Sequence, residues 1–314
     1  MTDATRTILL LTHTGREQAR EVARASVSAL TGQGVTVRLI DTEAGAIGVS
    51  ADEPHVEVVP SDAEAGNGCE LALIIGGDGS ILRAAEVTRR SGTPLLGINL
   101  GHVGFLAEAE EEDLASTIEA VVARRYTIHE RLTLEVRVVR GKELVYETFA
   151  LNEASVEKAA RERMLEVVIE VDDRPLSRFG CDGVVCSTPT GSTAYNFSAG
   201  GPIVWPQVEA LLMVPLSAHA LFARPMVVSP ESVMAVEVLA NNEGHGVLWC
   251  DGRRTVDLPP GARIEVRRGA RPVSLVRLHE APFTDRLVAK FDLPVDGWRG
   301  LAERRRRDEE ERRA

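Results

Sequence analysis

The chain has no surplus of positive charge. Its 36 Lys and Arg stand against 47 Asp and Glu, a formal net charge of −11. No broad excess of positive charge is therefore available to neutralise a nucleic-acid backbone, which argues against nonspecific nucleic-acid binding, and no nucleic acid is expected as a partner; a single nucleotide needs only a local cradle. No run of about 18 apolar residues occurs, so no membrane span is expected. The start, Met1-Thr2-Asp3-Ala4-Thr5-Arg6, lacks a charged segment followed by an apolar one, so no secretory leader is expected either. Cysteine is sparse: Cys69, Cys181, Cys186 and Cys250 include no CxxC pair, which argues against a disulfide framework or a zinc site. Aromatics make up 4% of the residues, and there is no internal repeat or low-complexity insert. What remains is a cytoplasmic protein whose 314 residues and 44% hydrophobic content allow two domains with substantial cores.

The chain is organised around Leu71-Ala72-Leu73-Ile74-Ile75-Gly76-Gly77-Asp78-Gly79-Ser80-Ile81-Leu82-Arg83. Five consecutive apolar residues predict a buried parallel strand. Gly76, Gly77 and Gly79 then surround one carboxylate, Asp78, and Ser80 suits a helix N-cap before Ile81, Leu82, Ala84 and Ala85. A glycine turn between strand and helix lets backbone N–H groups approach a phosphate, and the helix N-terminus adds a favourable field. Asp78 would repel that phosphate unless it met a cation or took a proton from a hydroxyl. Cradle plus base points to phosphoryl transfer to an alcohol; the plainer alternative is an ordinary turn that happens to contain an Asp.

Around this stretch, residues 7–11 predict a first strand, 16–31 a helix, 35–40 a second strand and 94–98 another, with a loop rich in Glu, Ala and Gly running to Gly68. Such alternation through about residue 125 predicts an open parallel α/β domain over 1–128, with ligands beyond the carboxyl ends of its strands. The glycine turn Asn99 to Leu106 belongs at that edge, where Phe105 could press on a base and His102 is either a site residue or a solvated loop residue. A helix is expected over 110–125, its charge order matching the helix dipole. From Tyr126 onward short strands with polar turns, at 132–138, 144–151, 164–171, 183–187, 226–229, 233–239, 247–250 and 273–278, predict a β-sandwich-like domain over 129–280. Phe283 to Phe291 looks helical, in a segment 281–300 that returns to the first domain. Residues 301–314 are a charged tail expected to be disordered.

Two stretches interrupt the sandwich pattern. Asn152-Glu153 ends a strand: an amide beside a carboxylate can hold a sugar diol, although a strand-end cap is the simpler reading. Residues 180–202 crowd Thr190, Ser192, Thr193, Tyr195 and Ser198 around Gly191 after a strand, offering hydroxyls and backbone amides to a polar ligand. The same glycines could instead shape a tight connection.

Gly76-Gly77-Asp78-Gly79, the spacing over 99–105, Asn152-Glu153, and Asp182-Gly183 followed by Thr188-Pro189-Thr190-Gly191-Ser192-Thr193-Ala194-Tyr195 together resemble the NAD kinases, in detail the actinobacterial branch, from about Thr7 to Trp298. The Gly-Gly-Asp-Gly turn is shared with diacylglycerol kinases, sphingosine kinases and phosphofructokinases, and the 182–201 stretch is the specific part. The resemblance implies ATP-dependent phosphorylation of the 2'-hydroxyl of the adenosine ribose of NAD, with Asp78 as proton acceptor and Mg2+ arriving with ATP. It further implies that Gly79, Asn152 and Glu153 line the NAD site. Asp182, Thr193, Ala194, Tyr195 and Ser198 would bind the adenine or nicotinamide end, and Arg83 and Arg163 nucleotide phosphate. A homodimer or homotetramer, with a neighbouring subunit completing part of the site, also follows from the resemblance. Ser80 stands where the family usually has Thr, and Gly180 where some relatives carry a larger side chain; the latter extends the expectation to NADH and inorganic polyphosphate. A lipid kinase or a non-catalytic dinucleotide sensor are the competing readings. The acidic chain offers no basic amphipathic helix for the first, and the second has no need of Asp78 or Glu153.

Overall fold

The computed structural model describes residues 6–101, 104–110, 113–160, 163–242, 244–279 and 282–295; His102 and the tail 301–314 lie outside them. The first half runs β1 (Thr7–Thr12), α1 (Glu17–Thr31), β2 (Thr36–Ile40), α2 (Asp41–Ile47), β3 (Val56–Val59), β4 (Leu71–Ile75), α3 (Asp78–Val87), β5 (Leu95–Asn99), β6 (Ala109–Glu110), α4 (Leu114–Val122) and β7 (Thr127–Arg131). The second runs β8 (Leu134–Arg140), β9 (Glu143–Ala150), β10 (Glu153–Lys158), β11 (Leu165–Val171), β12 (Arg174–Cys181), β13 (Gly183–Ser187), a short 3-10 turn (Thr190–Thr193) and α5 (Tyr195–Ser198). It continues with β14 (Leu211–Leu216), β15 (Met226–Val228), β16 (Met234–Val238), β17 (Gly246–Cys250), β18 (Arg254–Leu258), β19 (Ala262–Arg268), β20 (Val273–Arg277) and α6 (Phe283–Phe291).

The first sheet has the order β3-β2-β1-β4-β5-β20-β7, with β6 beside β5. β4, in the middle, is buried at all five positions, and each of its Leu and Ile side chains contributes roughly 1.5–3 kcal/mol. Even-numbered residues of β1 pack with α1 on one face, while Leu9 and Leu11 pack with Ile81, Ala84 and Ala85 of α3 on the other. Two six-stranded antiparallel sheets, β15-β14-β13-β10-β17-β18 and β12-β11-β16-β19-β8-β9, enclose the second core.

Several expectations are corrected. The strand expected at 273–278 in the sandwich is β20, which lies in the first sheet, parallel to β5 at Leu275 and antiparallel to β7. Its two faces enter the two opposite cores of that sheet, Leu275 on one side and Val276 on the other. α2 and β3 occupy what looked like a loop before Gly68, and β7, with four of its five residues exposed, carries no apolar signal. α3 begins at Asp78 with Gly77 as N-cap, so Ser80 lies inside its first turn rather than capping it. α4 is shorter than the expected 110–125.

Candidate active site

Three strand ends build the site edge. The His13 N–H donates to the Ile75 carbonyl at 3.1 Å and the Gly76 N–H to the Ile98 carbonyl at 2.9 Å, tying together the turns after β1, β4 and β5. They open a cleft of about 670 Å3 lined by Thr12–Arg16, Gly76–Ser80, Arg83, Asn99, Leu100, Gly104, Arg253 and Lys290. Asp78 is the one carboxylate among the described residues lining it, against His13, three arginines and a lysine. Such a balance suits a polyanion. Arg83 is anchored by an ion pair with buried Glu43, whose other oxygen accepts the Thr12 N–H at 2.7 Å. Burial pushes the Glu43 carboxyl up, and Arg83 opposes this.

The first residue of α3, Asp78, is held by the turn that follows β5. Its two oxygens accept the Phe105 N–H at 3.0 Å and the Leu106 N–H at 3.1 Å. Those two residues also wall a second cavity of about 340 Å3, with Thr190, Thr193, Gln207, His129, His279 and Arg131. Glu108, 2% exposed at its side chain, pairs with Arg277 and Arg286 there. Burial and these two guanidiniums bring the nearby Arg131 down to about 10. α6 closes the cavity from above: Arg286 donates to the Ala107 carbonyl at 2.6 Å. Phe105 meets Phe283 and Phe291 at 5.9 and 6.0 Å between ring centroids, and Phe291 meets Phe197 at 4.6 Å. α6 thus bridges the two domains over the cavity.

Asn152 and Glu153, 8% and 7% exposed, enter from the sandwich side at the start of β10. Leu151, just before them, is buried in the first-domain core with Ile81 and Leu106. Glu153 is pushed up to about 8, by burial first and then by the Asp251 charge, with the Tyr195 backbone N–H opposing. Its Oε2 is buried with no hydrogen-bond partner among the described residues. At neutral pH this carboxyl is mostly protonated and can donate as well as accept.

The stretch 188–198 is folded against that turn. Thr188 Oγ1 donates to the Leu151 carbonyl at 2.6 Å and accepts the Gly191 N–H at 3.0 Å. A Cβ at Gly191 would stand 2.1 Å from the Asn152 carbonyl oxygen, so no side chain fits there. Gly191 and Ser192, expected to face ligand, are buried, and the Ser192 hydroxyl exchanges hydrogen bonds with the Val204 carbonyl and N–H. Thr190 and Thr193 do line the second cavity, Ala194 caps α5, Tyr195 opens it and Ser198 is exposed at its end.

Asp182 and Arg163 are not brought to Asp78. Asp182 precedes Gly183, which pairs with Glu157 towards the opposite end of β10 from Glu153. Four residues of strand separate the two ends, about 13 Å. There Asp182 pairs with Lys158 at 2.6 Å, and hydrogen bonds from Lys158 and Ser217 lower its carboxyl. Exposed Arg163 lies by Gly244 at the same end. Residues that sequence reasoning missed are Gly104, Glu86, Asp251 and Arg254; Asp251-Gly252 stood out only as a turn.

Comparison with known proteins bears directly on this arrangement. Residues 8–126 match the ATP-NAD kinase N-terminal domain and 151–278 the ATP-NAD kinase C-terminal domain. A protein of Thermobifida fusca named NAD kinase is 60% identical over 305 residues, covering 96% of this chain and 93% of its own. The chain belongs to the NAD kinase family. As an NAD kinase family member it is a phosphotransferase whose acceptor is a hydroxyl of NAD. Two solved structures share the family fold at lower identity. Yeast NADH kinase complexed with NADH has a TM-score of 0.84 at 24% identity, covering 94% of this chain and 90% of its own. An Archaeoglobus fulgidus NAD kinase in complex with ATP has 0.66 at 23%, covering 92% and 100%. Among the described residues no helix is long and apolar enough to cross a membrane.

Proposed function

We propose that this kinase transfers the terminal phosphate of ATP, or of polyphosphate, to the 2'-hydroxyl of the adenosine ribose of NAD, with Asp78 as general base. The observation that carries this reading is the position of Asp78 between two cavities of different chemistry. The polar, cation-lined cleft suits donor phosphates, and the smaller cavity walled by Phe105 suits a base. A ribose hydroxyl between them would lie within reach of a carboxylate already held by two backbone N–H groups. Such a carboxylate orients the hydroxyl and takes its proton late in transfer. The buried Oε2 of Glu153, without a hydrogen-bond partner among the described residues, supports a role in holding a ribose hydroxyl, with Asn152 beside it. Thr190, Thr193, Ala194, Tyr195 and Ser198 would contact the nucleoside, Gly76, Gly77, Gly79 and Arg83 the phosphates.

Mg2+ fits this site as a companion of ATP. The cleft offers one carboxylate, Asp78, with the Asn99 side-chain oxygen near Gly77, and among the described residues no group of three His, Cys, Asp or Glu converges. Asp78 and Asn99 would be the residues on hand to hold it, and it would supply neutralisation of the phosphate charge. The distance of Asp182 and Arg163 from Asp78 supports their serving the site of a neighbouring subunit in a homodimer or homotetramer. NADH is a second acceptor on this reading, and the cytoplasm its compartment.

The test is a coupled assay with NAD, ATP and Mg2+, in which NADP is detected by an NADP-specific dehydrogenase. Wild type should form NADP, and Asp78→Asn should lose ~100-fold or more in kcat, the scale of general-base help. A variant that keeps its activity would reduce Asp78 to a positioning group. No NADP from folded wild type with either donor would refute the acceptor and the reaction together.

A further inference from the structure

Between Asp78 and the Asn152–Glu153 turn runs a chain of charged side chains that phosphoryl transfer leaves unused. Asp251 sits at the tip of the β17–β18 hairpin, where it and Gly252 take φ of 54° and 63°, the left-handed geometry that turns a hairpin without splaying its strands. Its side chain is 1% exposed. One oxygen accepts the Asn152 N–H at 2.7 Å and the other the Leu151 N–H at 3.0 Å. The Asp251 N–H in turn donates to the Glu153 carbonyl at 2.9 Å. Three consecutive residues of the turn are thereby tied to one residue.

Arg254 carries the connection into the first domain. Its Nη2 lies 2.7 Å from Asp251 Oδ2 and its Nε 3.2 Å from an oxygen of Glu86. Glu86 stands on α3, about two helical turns from Asp78 at the start of the same helix. The Arg254 guanidinium also lies 4.2 Å over the Phe149 ring and donates to the Phe149 carbonyl at 2.8 Å. It is therefore confined on its flat face as well as along its edges. Arg253 adds a second ion pair to Glu86 at 2.9 Å. Buried and partly buried pairs of this kind are close to neutral for stability, because desolvation offsets their attraction. What they do supply is direction, which the apolar contacts of Leu151 with the first-domain core do not.

We propose that Glu86, Arg254 and Asp251 form a strap that sets the spacing between Asp78 and the acceptor-holding turn, with Asp251 as a positioning residue for the phosphoryl acceptor. The base belongs to one domain and Glu153 to the other, and the reacting hydroxyl must satisfy both at once. The catalytic consequence rests on the kinase reading, whereas the strap's hold on the turn is a property of the fold and is measured separately.

The experiment uses the full chain and the variants Glu86→Gln, Asp251→Asn and the pair combined. It reads kcat, KM for NAD and for ATP, and amide hydrogen exchange at Leu151 and Asn152. Glu86→Gln touches neither N–H of the turn and keeps the side-chain volume, so it guards against a folding defect in Asp251→Asn. A misplacement of about 1 Å costs on the order of 100-fold in rate; we expect ~10-fold lower kcat in Glu86→Gln and ~100-fold in Asp251→Asn, with KM for ATP within about twofold. Exchange at Leu151 and Asn152 should speed up in both variants. Because the three residues act as one chain, the double variant should be no worse than Asp251→Asn alone. Unchanged exchange and kcat in Glu86→Gln, or losses that multiply in the double variant, would overturn the strap. Faster exchange in both variants with no NADP from wild type would uphold the strap while sinking the kinase reading.

Discussion

Gly104 faces Asp78 so closely that a Cβ there would lie 2.4 Å from Asp78 Oδ1. The carboxylate is held by the next two N–H groups of the same turn, so a side chain at 104 must displace either the acid or the turn. Gly104→Ala should therefore lower kcat by at least ~10-fold, as expected for a base moved by a fraction of an ångström to about 1 Å. Thermal melting, read beside the assay, separates a displaced carboxylate from a loss of fold. Full activity in Gly104→Ala would mean that Asp78 does not need this position.

Glu153 predicts a pH dependence with a definite direction. Its proton is held up to about 8, against a normal carboxyl value of 4.5. Folding favours the protonated form, so this stabilisation is full below the unfolded value and is lost as pH rises through about 8. Melting temperature of the wild type should fall between pH 6 and 9, and Glu153→Gln, a neutral mimic, should flatten that fall. KM for NAD should rise over the same range in the wild type only. Parallel pH profiles for the two proteins would show that Glu153 does not titrate there.

Glu70 works in the opposite direction. Burial raises its carboxyl, but hydrogen bonds from Arg6, Arg124 and Tyr126 outweigh this and bring it down to about 2. The stability it supplies is present above the normal carboxyl value and disappears as pH falls towards 2. Arg6 also donates to the Val121 and Val122 carbonyls at the end of α4, so the cluster ties β4 to α4 and β7. Glu70→Gln should cost ~2 kcal/mol at pH 7 and almost nothing near pH 2, a difference that urea denaturation at the two pH values would register.

Gly191 meets the Asn152 backbone rather than a flexible side chain, so neither partner can give way. Gly191→Ala should destabilise by at least ~2 kcal/mol through overpacking and raise KM for NAD by moving Asn152. Calorimetric melting with and without NAD separates the two effects. A variant as stable as wild type would show that this contact relaxes freely.

How far the sequence discloses this site depends on the range of each signal. Leu71 to Arg83 is local: an apolar run, glycines and a helix pattern are adjacent in the chain, so strand, turn and Asp78 are all legible. The Asn152-Glu153 pair is legible as chemistry, but its protonation depends first on burial and then on Asp251, about a hundred residues away and visible beforehand only as a turn residue. Alternation with period two predicts that 273–278 is a strand yet carries no information about which sheet receives it. β7 is exposed along most of its length and so leaves no apolar trace. The hydroxyls of 190–198 look alike in sequence, and only packing separates Thr193 at the cavity from Ser192, which is spent on Val204.

The insertion of β20 between β5 and β7 means that the domain holding Asp78 is assembled from segments on either side of the sandwich in sequence. The Asp78 sheet cannot close until residues 273–277 have left the ribosome, whereas the sandwich strands from β8 to β19 are all made before then. An emerging chain can therefore form the sandwich core first, with the Asp78 sheet still lacking a strand, its β5 edge covered only by the two-residue β6 and β7 open to other chains. The long sequence separation between β5 and β20 makes this closure a slow, late step. Phosphoryl-transfer competence then waits for β20, and a fragment ending near residue 131 would lack the strand that joins β5 to β7.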